Sequence, residues 1–137
     1  MIVTPYLTFP GTTHEAFSFY AELFGGQIEV AETVRNSAVA GEMPEKVQDL
    51  ILHARVRIGD GHLMASDDLS GTYQKPEGVT LQTSFNDVEK AKRIFSRLSK
   101  NGEIVMPFER TFWSAGFGIC RDRFDVLWMV NCDAPFE

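Results

Sequence analysis

"TTHEAFSFYAELFGG" (12–26) and "NDVEKAKRIFSRLSKNG" (86–102) are two versions of one helix. In the first, Thr12 and Glu15 have the spacing of a capping box, whose side chains bond backbone N–H groups at a helix start. Ala16, Phe17, Tyr20, Leu23 and Phe24 then recur at three- and four-residue steps and form one apolar stripe. Gly25 and Gly26 end it, because glycine accepts the left-handed C-terminal cap. In the second, Asn86 and Glu89 form the capping pair, the stripe is Val88, Ala91, Ile94, Phe95 and Leu98, and Asn101-Gly102 closes it. The pattern predicts helices over 12–24 and 87–100. An offset of 74 lays His14, Glu15, Phe17, Tyr20 and Phe24 on Val88, Glu89, Ala91, Ile94 and Leu98.

The likeness continues on both sides of the helices. "PYLTF" (5–9) falls on "VTLQT" (79–83) at the same offset. Strand-like runs follow at 27–34, 49–59 and 61–67, and again at 103–110, 115–121 and 126–132. "HLMASD" (62–67) answers "LWMVN" (127–131), with Met64 opposite Met129. Each half reads βαβββ, and the halves are tandem copies. The expected fold class is α+β: two βαβββ modules, about 1–70 and 76–137, within a single domain spanning 1–137. They are expected to form one curved mixed sheet, a half-barrel with helices outside and a cavity inside. Residues 35–48 and 68–78 are polar, Gly- and Pro-bearing loops; the first is long enough to act as a lid or to wander.

The 137 residues suit one domain with a real core, and 44% hydrophobic with 23% charged residues is ordinary globular composition. No apolar run approaches a bilayer span, and "MIVTPYLTF" lacks the basic region of a signal peptide, so a cytoplasmic protein is expected. Cys120 and Cys132 are too few for a disulfide framework. A net charge of −6 without runs of Lys and Arg argues against nucleic acid or anionic membrane as partner.

The order "PYLTF", "EAFSFYAELFGG" (15–26), "LHARVRIGDGHLMASD" (52–67), "GEIVMPFERTFWSAGFG" (102–118) and "DRFDVLWMVN" (122–131) resembles the PhnB-like group of the vicinal oxygen chelate superfamily. That superfamily includes glyoxalase I, extradiol dioxygenases and bleomycin- and fosfomycin-resistance proteins. Where the group usually has Gly, this chain has Asp125, which also tolerates left-handed backbone geometry. The resemblance implies a homodimer, and four metal-ligand positions, one on the first strand and one on the last strand of each half. These fall on Pro5, Met64, Val79 and Met129. Proline and valine offer no donor and thioethers suit only soft metals, so no metal and no other cofactor is expected. Some relatives carry the label 3-demethylubiquinone-9 3-methyltransferase-like. No glycine-rich cofactor loop supports that activity here.

Chemistry-bearing residues are few. His14 reads as a solvated helix residue. In "DLILHARVRIG" (49–59), Leu50, Leu52, Ala54, Val56 and Ile58 alternate with Ile51, His53, Arg55 and Arg57. The aliphatic set is expected under the helices, which turns His53 and Arg55 toward the cavity. There they could grip an anion or, at His53, move a proton; the blander alternative, which the pattern favours, is a hydrogen-bonded structural histidine beside solvated arginines. His62 shares parity with Met64. Asp67 and Asp122 read as turn formers. Phe108, Phe112, Trp113 and Phe117 alternate with small residues, which suits either a pocket wall or core, whereas Trp128 should pack under a helix. The expected cavity positions Pro5, Leu7, Met64, Val79, Leu81 and Met129 are mostly apolar. The functional expectation is a small-molecule-binding protein taking a small anionic, partly apolar ligand. Its contacts would be His53, Arg55, Met64, Trp113, Phe117 and Met129. The alternative is an enzyme of the same superfamily, with His53 as base or a divalent metal recruited by His53, His62 and an acidic residue.

Overall fold

The structure, a computed structural model, describes residues 1–133. Its elements run β1 (Tyr6–Phe9), α1 (Thr13–Phe24), β2 (Gln27–Thr33), β3 (Ile51–Ile58), β4 (Gly61–Asp67), β5 (Leu81–Phe85), α2 (Val88–Ser99), β6 (Glu103–Glu109), β7 (Gly116–Arg121) and β8 (Leu127–Cys132). The tandem βαβββ reading holds. Hydrogen bonds gather the strands into two four-stranded mixed sheets, ordered β1-β4-β3-β2 and β5-β8-β7-β6. They do so because each module pairs its first strand in parallel with its own last strand. The chain forms two compact units, Met1–Gln74 and Lys75–Glu137, each taken in turn below. Among the described residues no helix is long and apolar enough to cross a membrane.

In the first unit α1 lies on one face of its sheet. Ala16, Phe17 and Tyr20 are fully buried there against Phe9, Ala54, Val56 and Ala65. Phe24, expected in the stripe, is only half-buried, because it lies at the last turn, where the helix runs out toward Gly25. The expected capping box is not made. Thr12 contributes its carbonyl to the first turn, but its side chain accepts nothing. The orphan N–H of Thr13 instead goes to Asp67 Oδ1 at 3.0 Å, from the end of β4. In the second unit α2 buries Ala91, Ile94, Phe95 and Leu98. Its cap is Asp87, one residue beyond the expected Asn86, accepting from the N–H groups of Glu89 and Lys90.

Capping and register errors have a common source. The helices correspond at an offset of 75 (Thr13 to Val88) and the first strands at 76 (Tyr6 to Gln82, each beside the matching methionine), not 74 throughout. The connection Pro10-Gly11-Thr12 is one residue longer than Asn86-Asp87, and α1 takes its cap from Asp67 across the sheet.

The 35–48 segment does not wander. It makes two short 3₁₀ turns, Ala40–Glu42 and Glu45–Val47. Buried Gln48 donates to the carbonyls of Ala40 (2.8 Å) and Met43 (2.9 Å), and Val34 and Val47 are buried beneath. Arg35 spans the loop to Glu45 (3.0 Å) and Asp49 (2.9 Å), and holds the Asp49 carboxyl below the usual carboxylate range.

In the β7–β8 hairpin Asp125 adopts φ 72°, the left-handed geometry expected of it. The turn is tied by Asp122, whose buried carboxylate accepts from Phe124 N–H (2.8 Å), Val126 N–H (3.0 Å) and Trp128 Nε1 (2.9 Å). Trp128 is core, as its parity required. Asp125→Gly is expected to stabilise the protein by ~0.5–1 kcal/mol, because glycine adopts this φ without a Cβ clash. Asp125→Ile should destabilise by ~1 kcal/mol or more, since β-branched residues avoid that region. Thermal melts of the two variants moving in the same direction would contradict this account of the turn.

Candidate functional site

Each sheet has a helix-covered face and an open face, and strand parity assigns side chains to them. In the first unit the covered set includes Ala54 and Val56 on β3, Leu63, Ala65 and Asp67 on β4, and Phe9 on β1, all buried. Tyr6, Thr8, His53, Arg55, His62, Met64 and Ser66 therefore share the open face. This puts His53, Arg55 and Met64 on one surface, as expected. It also corrects the first strands. Leu7 pairs with buried Ala65 and Leu81 with buried Trp128, so both turn toward the helices. Pro5 and Val79 precede the strands altogether. The open-face positions are Tyr6 and Thr8 in the first unit and Gln82 and Ser84 in the second, which makes both surfaces more polar than expected.

Tyr6 reaches over β4 to His53. The phenol oxygen lies 3.3 Å from His53 Nδ1, and the rings stack with centroids 5.9 Å apart and planes 19° from parallel. Either the phenol donates to Nδ1 or, in the other tautomer, Nδ1–H donates to the phenol oxygen. Arg55 does not join them. Its Nε lies 3.2 Å from Glu29 Oε1, and the same oxygen is 3.2 Å from His62 Nε2. His53 is half-buried and Arg55 exposed. His14 is exposed on α1, as read.

On the second unit Phe117, Ile119, Met129, Asn131, Gln82 and Ser84 share the open face. Trp113 stands edge-on to Phe117 (5.4 Å), and Phe112 edge-on to Trp113 (4.7 Å). Trp113 keeps 52% of its surface exposed and Phe112 91%, so neither is core. Phe108, by contrast, is half-buried: it packs on Phe95 (5.7 Å) and against Gly116, where an added Cβ would collide with the edge of its ring. The Trp113 loop is fixed from below. Thr111 Oγ1 accepts from Trp113 N–H (3.3 Å) and Ser114 N–H (3.1 Å), and buried Ser114 Oγ lies against the carbonyls of Gly116 (2.6 Å) and Cys132 (2.9 Å). Cys120 and Cys132 are free and buried; burial, helped by the Asp122 charge, pushes the Cys120 thiol up to about 12. Such a thiol is no nucleophile at neutral pH.

The metal question can be put to the donor set. The residues beside Met64 and Met129 on the first strands are Tyr6 and Gln82, in place of the expected Pro5 and Val79. Neither pair, a phenol with a thioether in the first unit or a carboxamide with a thioether in the second, offers the His and carboxylate donors that hold hard divalent ions. Among the described residues no three His, Cys, Asp or Glu side chains converge as ligands: His62 pairs with Glu29, while His53 pairs with Tyr6.

Sequence reasoning missed Tyr6 and Glu29. Tyr6 had a signal, an aromatic at alternate parity from core Phe9. Glu29 had none, because a backbone irregularity in β2 positions it.

Residues 5–130 match the Glyoxalase/Bleomycin resistance protein/Dioxygenase superfamily model. The chain is 34% identical to protein YjdN of Escherichia coli (strain K12), over 96% of this chain and 95% of that one. Among solved structures, protein PA1353 from Pseudomonas aeruginosa is 36% identical with TM-score 0.87, covering 98% of this chain and 99% of the other. The PhnB protein from Bacillus cereus, at 22% identity and TM-score 0.81 over 96% and 99%, shares the fold.

Proposed function

We propose that this chain, which belongs to the glyoxalase/bleomycin resistance protein/dioxygenase superfamily, binds a small anionic, partly apolar molecule without the metal centre usual in that superfamily. The observation that carries the reading is the open face of the first unit. It sets Arg55, His53 with its Tyr6 partner, and Met64 on one surface. Arginine and imidazole hold the charged group, since a guanidinium grips a carboxylate through parallel hydrogen bonds. On the open face of the second unit, Trp113, Phe117 and Met129 offer rigid apolar surface of the kind that takes an apolar group. The role belongs to the chain as one domain, working as a cytoplasmic homodimer with its buried thiols reduced.

The stacking of Tyr6 on His53 favours a second reading, an enzyme with His53 as general base, because a partner that fixes the ring orients its other nitrogen. Calorimetry against aromatic carboxylates and phosphonates tests the first reading. Binding that weakens roughly tenfold or more (~1.4 kcal/mol) in both His53→Ala and Arg55→Ala supports it. Equal affinity in wild type and both variants would place the anion elsewhere. Turnover of a bound compound, lost in His53→Ala while binding persists, would favour the enzyme.

A further inference from the structure

Strand β2 leaves its register at two places, and the departure at Glu29 points a carboxylate at Arg55. Ile28 pairs with Val56 but Val30 pairs with Arg55, so Glu29 is the extra residue of a bulge. Bulges re-aim side chains, and this one sends Glu29 across β3. Its Oε1 stands 3.2 Å from Arg55 Nε on β3 and 3.2 Å from His62 Nε2 on β4. The guanidinium that the proposed function uses as anion anchor thus already faces an anion supplied by the chain itself.

We propose that Glu29 is an internal stand-in for the acidic group of the ligand. It occupies Arg55 in the free protein, yields to the incoming anion, and sets which anions the open face accepts. The inference rests on the reading of Arg55 as anchor. Two features suit Glu29 to exchange. The pair is open to water, with 44% of the Arg55 and 36% of the Glu29 side chain exposed, and ion pairs so exposed are weak. His62, 29% exposed, touches the same oxygen and can keep Glu29 on the face once Arg55 has turned to the ligand. A carboxylate retained so close to the anchor repels a second negative charge, so the face should favour monoanions over dianions.

The test uses the full chain with benzoate as monoanion and phenyl phosphate, nearly doubly charged at pH 8, as dianion. Affinities are read by calorimetry in wild type, Glu29→Gln, Arg55→Ala and the double variant. Glu29→Gln, an isostere without the charge, should tighten benzoate roughly tenfold and phenyl phosphate by more. Arg55→Ala should weaken both, and the double variant should lose the gain. If Arg55→Ala leaves affinity unchanged, the anchor reading itself fails. If Arg55→Ala weakens binding while Glu29→Gln fails to strengthen it, the anchor stands and the stand-in is overturned. Binding seen only in Glu29→Gln supports the proposal; binding by neither protein counts against both. Melting of Glu29→Gln within a few degrees of wild type shows that the fold tolerates loss of the charge, so that changed affinity reads the site.

Discussion

Phe17→Ala is expected to destabilise the protein by ~3–5 kcal/mol, and Phe24→Ala by less than half of that. Both rings lie on α1 and both belong to the apolar stripe of the sequence, yet their surroundings differ. Phe17 is fully buried, edge-on to Phe9 at 6.2 Å and close to Tyr20 at 6.2 Å, above the small covered-face residues Ala54 and Ala65. Truncation there empties a site bounded by sheet backbone, which cannot move in to fill it. Phe24 is partly in water already, so its removal forfeits less burial and leaves space that solvent can enter. Urea unfolding with an unchanged m-value and a lowered midpoint is the measurement. A larger loss for Phe24→Ala would mean that α1 is rotated about its axis relative to this description.

Asp67→Ala should cost ~2–4 kcal/mol although it removes only one short side chain. The carboxylate is 4% exposed and serves two separated pieces of backbone: Oδ1 accepts from Thr13 N–H (3.0 Å) and Oδ2 from Ile51 N–H (2.8 Å). Thr13 and Ile51 are themselves buried, so neither amide can turn to water when its acceptor is lost. Each stranded donor costs ~1–3 kcal/mol. Asp67→Asn, which keeps one acceptor oxygen, should fall between alanine and wild type. Thr12→Ala should stay within ~0.5 kcal/mol, because the Thr12 side chain caps nothing. Asp87→Ala, which removes a local solvent-exposed cap, should cost ~1 kcal/mol. A ranking with Thr12→Ala above Asp67→Ala in chemical denaturation would restore the capping-box reading.

That contrast between Asp67 and Thr12 marks the boundary between what residue order shows and what it leaves open. Both helices, all eight strands to within about two residues, the duplication, the left-handed turn at Asp125 and the core placement of Trp128 follow from the sequence itself. Each rests on short-range physics: a period of 3.6 or 2 in apolar side chains, or the backbone preference of one turn residue. On the candidate surfaces the same alternation placed His53 and Arg55 on one face of β3, because parity within a strand does not depend on its neighbours; Met64 joins them through the β3–β4 register. Other features depend on which strand lies beside which. Leu7 and Leu81 face the helices because of the partners across the ladder, Ala65 and Trp128, tens of residues away in sequence. Tyr6 meets His53 across an intervening strand, and Asp67 caps a helix that starts 54 positions earlier. Glu29 reaches Arg55 and His62 because β2 carries one residue more than its partner can pair. Bulges, caps drawn from distant strands and cross-strand stacks arise from pairing between segments, and pairing is settled when the whole sheet packs against its helix. The local pattern therefore determined the elements and their faces, while tertiary packing alone decided which charges and rings meet on those faces.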